Sequence, residues 1–229
     1  MLRCAVLFTL VVSLARAAFL APDALDPLQV VPPPPAPDSI VAEAERATLA
    51  LLAQNRTPEQ VALARRWEKY DVFKMVQPVV GDWATAQTLP KLAAFIKNST
   101  GETRPFTDRA KNTYARLRPH QDNPALVLAL ENKPDGASYP SGHSTAAWLH
   151  ATLLAAALPE HAAEFTHQAE LVCLSRLYGG AHYPSDVVAG RRLGTAIAQA
   201  MLKSPETQHA LEEIRAEFAA ALAAHKKAA

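Results

Sequence analysis

From Asp38 onward the chain is built of alanine- and leucine-rich stretches in which apolar residues recur at intervals of three and four, and sustained alternation with β-branched residues is absent. A three-four interval lines up side chains on one face of a helix, whereas a sheet face needs an interval of two. The pattern therefore confines the fold to the all-α class. Asp38 caps a predicted helix through Ala53, and Thr57-Pro58-Glu59-Gln60 supplies an N-cap, a proline at the first helical position and a glutamine three residues after the cap. Further helices are predicted at about 88–98, 106–117, 142–157, 160–178, 185–203 and 206–226. With hydrophobic residues at 49% and charged residues at 20% of 229, there is material for one core of single-domain size.

Two segments precede the helical domain, which is expected to span residues 38–229. Arg3, an apolar run from Cys4 to Leu14 and the small-residue sequence Ala15-Arg16-Ala17-Ala18 have the order of a cleaved signal peptide, residues 1–17. A run of about eleven apolar residues is too short for a bilayer, which needs roughly 20, so export to the periplasm or the medium is the expectation. Residues 18–37 contain seven prolines, too many for helix or ladder hydrogen bonding, and read as an extended tether. Cleavage would leave Cys173 as the one cysteine, without an internal disulfide; lying between Val172 and Leu174, it reads as a small buried apolar side chain.

Lys and Arg total 23 against 22 Asp and Glu, so no bulk field gathers a nucleic acid polymer or an acidic membrane. Stable membrane insertion is not expected either, because the most apolar helix, Ser144 to Leu158, is too short and carries His150. Any anion chemistry must be local, and three stretches offer it. In Lys111-Asn-Thr-Tyr-Ala-Arg-Leu-Arg118-Pro119 the two named cations are seven apart, two helical turns, and would share a face just before the proline stops the helix; a solvated basic face explains this equally well. In Pro140-Ser141-Gly142-His143, Ser141 can cap the following helix while Gly142 lets backbone N–H groups approach an anion. Capping alone would account for the serine, but not for the histidine beside it. In Ser175-Arg176-Leu-Tyr-Gly179-Gly180-Ala-His182-Tyr-Pro184-Ser-Asp186, the glycines end one helix and Pro184 begins the next. His182 then lies on the loop, with Asp186 near enough to accept from one imidazole nitrogen and leave the other unprotonated. A histidine followed by an aspartate four residues on is, by itself, usually incidental.

Three fixed cations, a helix N-terminus and two histidines suit phosphoryl transfer, where the protein mainly positions and neutralises spreading negative charge. In order, K-x6-R-P, P-S-G-H and S-R-x5-H-x3-D resemble the tripartite motif of the phosphatidic-acid-phosphatase type 2 superfamily and, within it, the class A bacterial nonspecific acid phosphatases. The resemblance implies the compact helical bundle shared by acid phosphatases and vanadium haloperoxidases, and hydrolysis of phosphate monoesters with broad specificity. It implies that His182 attacks phosphorus, Asp186 orients it, and His143 protonates the leaving oxygen. Lys111, Arg118 and Arg176, with Ser141 and the Gly142 N–H, would hold the phosphoryl oxygens, and neither metal nor cofactor is required. A neutral His182, a protonated His143 and an acid-leaning, bell-shaped pH profile follow as expectations. The expected partner is a small phosphomonoester, and a homo-oligomer is compatible with the sequence. His120, Ser144 and the proline segment depart from the family pattern and bear on substrate preference; residues 120–139, Tyr139 among them, are expected to shape the rim and touch the leaving group.

Competing readings are weaker. A vanadium-dependent haloperoxidase has a similar anion pocket but is usually much larger, and an integral-membrane lipid phosphatase needs several spanning helices. A Ser141-His-Asp186 acyl hydrolase lacks the G-x-S-x-G elbow. A periplasmic binding protein for phosphate-like anions gives the histidines nothing to do.

Overall fold

The computed structural model describes residues 18–228, so the expected signal segment 1–17 lies outside the described residues. In chain order the helices are α1 (Pro27–Val30), α2 (Ile40–Asn55), α3 (Pro58–Arg66), α4 (Phe73–Val80), α5 (Pro90–Tyr114), α6 (Pro119–Asp122), α7 (Gly142–Ala157), α8 (Ala162–Tyr178), α9 (Pro184–Met201) and α10 (Pro205–Ala228). Strands are absent among the described residues, as the periodicity requires. Six of these helices begin on proline, which fits where the first N–H has no partner to lose, and this reconciles a proline-rich chain with a helical fold. The capping box at α3 forms as predicted, with Gln60 N donating to Thr57 Oγ1 at 3.4 Å and Thr57 N to Gln60 Oε1 at 2.9 Å. At α2 the cap is Ser39 rather than Asp38.

Helix α7 is the centre. It packs between α8 and α9 and is buried nearly all round, including Ala147, Trp148, Leu149, Ala151, Leu153 and Leu154, as a helix without a polar face must be. Gly190 and Gly194 turn the glycine face of α9 onto it: a Cβ at Gly190 would lie 2.6 Å from Ser141 O, and one at Gly194 would collide with Thr145 O. This close approach brings the start of α7 against the start of α9.

Three expectations are corrected. The helices predicted at 88–98 and 106–117 are one helix, α5, with Pro105 inside it. Proline forfeits one backbone bond there, but Phe95, Ser99, Thr103, Phe106 and Ala110 continue a single buried stripe through the junction, and that burial outweighs the local break. Secondly, α5 ends at Tyr114, where Ala115 turns into the left-handed region with φ 44°. Arg118 is therefore not on the helix that carries Lys111; it stands before the single turn of α6. Thirdly, residues 18–37 are not a free tether. Phe19, Leu20 and Val31 are buried, Phe19 packs edge-on to Phe95, and Tyr114 Oη and Tyr139 Oη donate to Val31 O and Pro32 O at 2.8 and 2.6 Å. The apolar residues between the prolines find core surface, and a prolyl backbone without N–H groups can lie on it at little cost.

Candidate active site

The turn between α8 and α9 carries an imidazole–carboxylate pair. Gly179 closes α8, Gly180 takes φ +71°, and Tyr183 stands as the N-cap of α9. Asp186 therefore falls in the first turn, where its Oδ2 accepts from Tyr183 N at 2.8 Å. The same oxygen lies 3.3 Å from His182 Nδ1 and accepts from Ser138 Oγ. Since a carboxylate only accepts, Nδ1 carries the ring proton and Nε2 keeps its lone pair. Nε2 lies 3.2 Å from Arg118 Nη1, whose guanidinium is braced on Asp135 O, Gly136 O and Ala181 O. Burial pushes His182 down to about 4, against the pull of Asp186 and helped by Arg118 and Lys111. Burial works to raise Asp186, yet His182, Arg116 and Ser138 together hold it below the usual carboxylate range.

Lys111 reaches from the last turn of α5, donating to Ala137 O; burial and the neighbouring Arg118 lower it to about 8. Arg176, near the end of α8, donates from Nη1 to Trp67 O at 2.7 Å, while its buried Nε and Nη2 have no partner. Burial, then Arg118, lowers it to about 10, so it remains a cation at neutral pH. A buried guanidinium with two donors unpaired within the protein can take the oxygens of an anion.

His143 follows Gly142 at the start of α7. Its Nε2 is 3.3 Å from Glu68 O, and its ring meets Tyr70 edge-on. Here an expectation reverses: burial, with Arg176 and His182 adding to it, pushes His143 down to about 3. At neutral pH both imidazoles are therefore uncharged.

Lys111, Arg118, Gly142, His143, Arg176 and His182 all line one cavity of about 320 Å³. Asp186 stands behind His182, fully buried. Ser141 is also fully buried and outside the cavity wall; its Oγ accepts from Ser144 at the start of α7, and its N donates to Asp186 O at 2.9 Å, tying the second motif to the third. The rim comes partly from the predicted segment, through Leu130, Asn132, Lys133 and Pro134, and partly from Glu68 and Lys69. Glu68 clasps the far side, accepting from Glu131 N at 3.0 Å and from Asn132 N and Nδ2 at 2.8 Å each. Tyr139 does not line that cavity. It is 2% exposed and spent on Pro32 O.

Sequence reasoning missed Glu68, Ser138, Arg116 and Glu45. Arg116 could have drawn notice as a third cation in the first motif stretch; the others carry no local signal.

Residues 84–210 match the family described as the PAP2 superfamily. An acid phosphatase of Zymomonas mobilis is 30% identical over 203 residues, 84% of this chain and 75% of that protein. A non-specific acid phosphatase of Providencia stuartii is 27% identical over 203 residues, 86% of this chain and 82% of that one. Among solved structures, a transmembrane PAP2 type phosphatidylglycerolphosphate phosphatase from Bacillus subtilis matches with a TM-score of 0.51 at 19% identity, over 73% of this chain and 87% of that one, a likeness of fold. Among the described residues here, no helix is long and apolar enough to cross a membrane.

Proposed function

The chain belongs to the PAP2 superfamily, as a phosphoric monoester hydrolase of the class A acid phosphatase kind, and on that premise we propose that it works through a phosphohistidine on His182. One observation carries the reading: His182 presents an unprotonated Nε2 to a cavity in which Lys111, Arg118 and the idle Nε and Nη2 of Arg176 converge. The oxygens of a phosphoryl group there accept from these cations and from the Gly142 N–H at the head of α7.

Nε2 forms a bond to phosphorus as the ester P–O bond breaks, and the departing alkoxide takes a proton from His143. Water then attacks phosphorus, His143 takes the water's proton, the P–N bond breaks, and His182 returns neutral with inorganic phosphate as product. Burial holds His143 neutral at neutral pH. A monoester monoanion brings its own proton, its second pKa being about 6, and the charge left on phosphate stabilises that proton on the ring. This favours acid pH.

Broad specificity follows from where the donors are: they surround the phosphoryl group, while the alcohol faces the rim, where Lys69 and Lys133 are exposed. Residues 1–17 direct export on this reading, and fractionation with amino-terminal sequencing of the mature protein tests that. For the mechanism, His182→Ala should lower turnover by several orders of magnitude. A pulse of labelled substrate at acid pH, quenched in alkali, should leave acid-labile label on His182. Label on Ser141 would move the nucleophile there.

A further inference from the structure

Behind Asp186 stands a second layer of charge. Arg116 Nη1 donates to Asp186 Oδ1 at 2.7 Å and to Ser185 Oγ at 2.8 Å, and Nη2 donates to Glu45 Oε2 at 2.7 Å. Glu45 Oε1 accepts from Ser185 N at 2.6 Å, and the guanidinium lies 4.0 Å over the Tyr183 ring. The side chains of Arg116, Glu45 and Asp186 are 12%, 7% and 0% exposed. Glu45 belongs to α2, well before residue 84 where the family match begins. The two Asp186 oxygens thus divide their work: Oδ2 serves His182, Ser138 and the Tyr183 amide, while Oδ1 is given to Arg116.

We propose that Arg116, held in turn by Glu45 from α2, is a positioning residue for phosphoryl transfer: it pins the Asp186 carboxylate so that His182 Nε2 stays aimed at phosphorus. This rests on His182 being the nucleophile. A carboxylate gripped at one oxygen can pivot, and His182 would pivot with it; the bidentate fork of Arg116 ties Asp186 to a second anion on a different helix. Both ion pairs are buried, so removing the central cation leaves two buried carboxylates facing each other.

The charges facing Asp186 are Arg116 and His182, with Lys111 and Arg118 further off; those facing His182 are Asp186, Arg118, Lys111 and His143. Arg116 damps the hold of Asp186 on the His182 proton. Removing Arg116 should therefore raise the pH at which His182 protonates and move the acid limb of kcat upward. Replacing Glu45 by glutamine leaves Arg116 less compensated and should move that limb downward. A role in folding alone predicts neither sign.

The test compares the parent, Arg116→Met, Arg116→Lys and Glu45→Gln by pH profiles of kcat and KM on p-nitrophenyl phosphate, with the rate of acid-labile labelling at His182. Arg116→Met should lose about tenfold to a hundredfold in kcat, the range for partners that orient a functional imidazole, with KM within about threefold of the parent. Arg116→Lys, which keeps the charge, should recover part of it. Unchanged kcat and acid limb in Arg116→Met, or a loss confined to KM, would overturn the proposal. Should Arg116→Met fail to fold, Glu45→Gln decides alone, and an unmoved acid limb there is fatal. If the parent itself shows no label on His182, the phosphohistidine reading fails and takes this inference with it. Normal label in the parent and an equally fast label in Arg116→Met defeats this inference only.

Discussion

Replacing Gly190 by alanine should separate the two halves of the active site without touching any residue in it. The new methyl would lie 2.6 Å from Ser141 O and 2.8 Å from Ser144 Cβ, and real Cβ atoms essentially never come within 3.0 Å of such neighbours. One of the nearest obstacles is backbone at the head of α7, so relief requires α7 and α9 to part. Overpacking of this kind costs about 1–3 kcal/mol, and the better helix propensity of alanine returns about 1 kcal/mol. The net loss of up to about 2 kcal/mol corresponds to a fall in Tm of up to about 8 °C for a protein of this size. His143 rides on α7 while His182 lies on the turn that leads into α9 and Asp186 in its first turn, so the same movement stretches the distance between the two imidazoles. A misplacement below 1 Å is expected to lower kcat on the order of tenfold. Gly194→Ala should be worse, because its methyl would collide with Thr145 O. Gly101→Ala is the control: nothing lies within 4 Å of its added carbon on exposed α5, and it should gain up to about 1 kcal/mol. Differential scanning fluorimetry and kcat on p-nitrophenyl phosphate measure both effects. Gly190→Ala with the parent's Tm and kcat would refute the claim that this contact sets the spacing of the site.

Three histidines, two buried and one half-buried, should weaken the fold at acid pH: His143 is lowered to about 3, and His150 and His182 to about 4, from an ordinary 6.5. Between pH 6.5 and about 4 the unfolded chain binds protons that the native chain refuses, so Tm should fall as pH falls through that window. His150→Gln, which does not titrate, should flatten the slope; an unchanged slope would deny the assignment. Saturating inorganic phosphate should raise His143 from about 3, because an anion favours the imidazolium; a ring resonance that titrates identically with and without phosphate would exclude the proton from His143. Glu68→Ala frees three donors of the rim and should raise KM about fivefold, equivalent to about 1 kcal/mol, with little change in kcat, and steady-state kinetics at one pH suffice to check it.

The parts of the site legible in the sequence are those whose chemistry is written in short order. His182 and Asp186 sit four apart across a glycine-proline turn, and the structure brings them together through the start of α9. Lys111 and Arg118 converge too, but by a different route from the predicted common helix face, because Ala115 breaks the helix first. Glu45 and Glu68 were invisible, since their partners lie 71 and more than 60 residues away and no spacing rule reaches so far. The His143 charge state was misjudged for a related reason: it depends on burial and on Arg176, which only tertiary structure supplies. Proline density misled at 18–37, where composition describes the backbone but not the surface it lies on.

The two tyrosines that grip Val31 and Pro32 stand beside two of the three motif stretches, Tyr114 three residues after Lys111 and Tyr139 immediately before Pro140. Their contacts reach across 83 and 107 residues. Val31 and Pro32 thus wait for these partners until Tyr139 has been made, and they dock after α5, over ground that helix has prepared. A version shortened to begin at Asp38 would leave Phe95 without its ring partner and both tyrosine hydroxyls without acceptors, stripping apolar cover from the back of the catalytic apparatus.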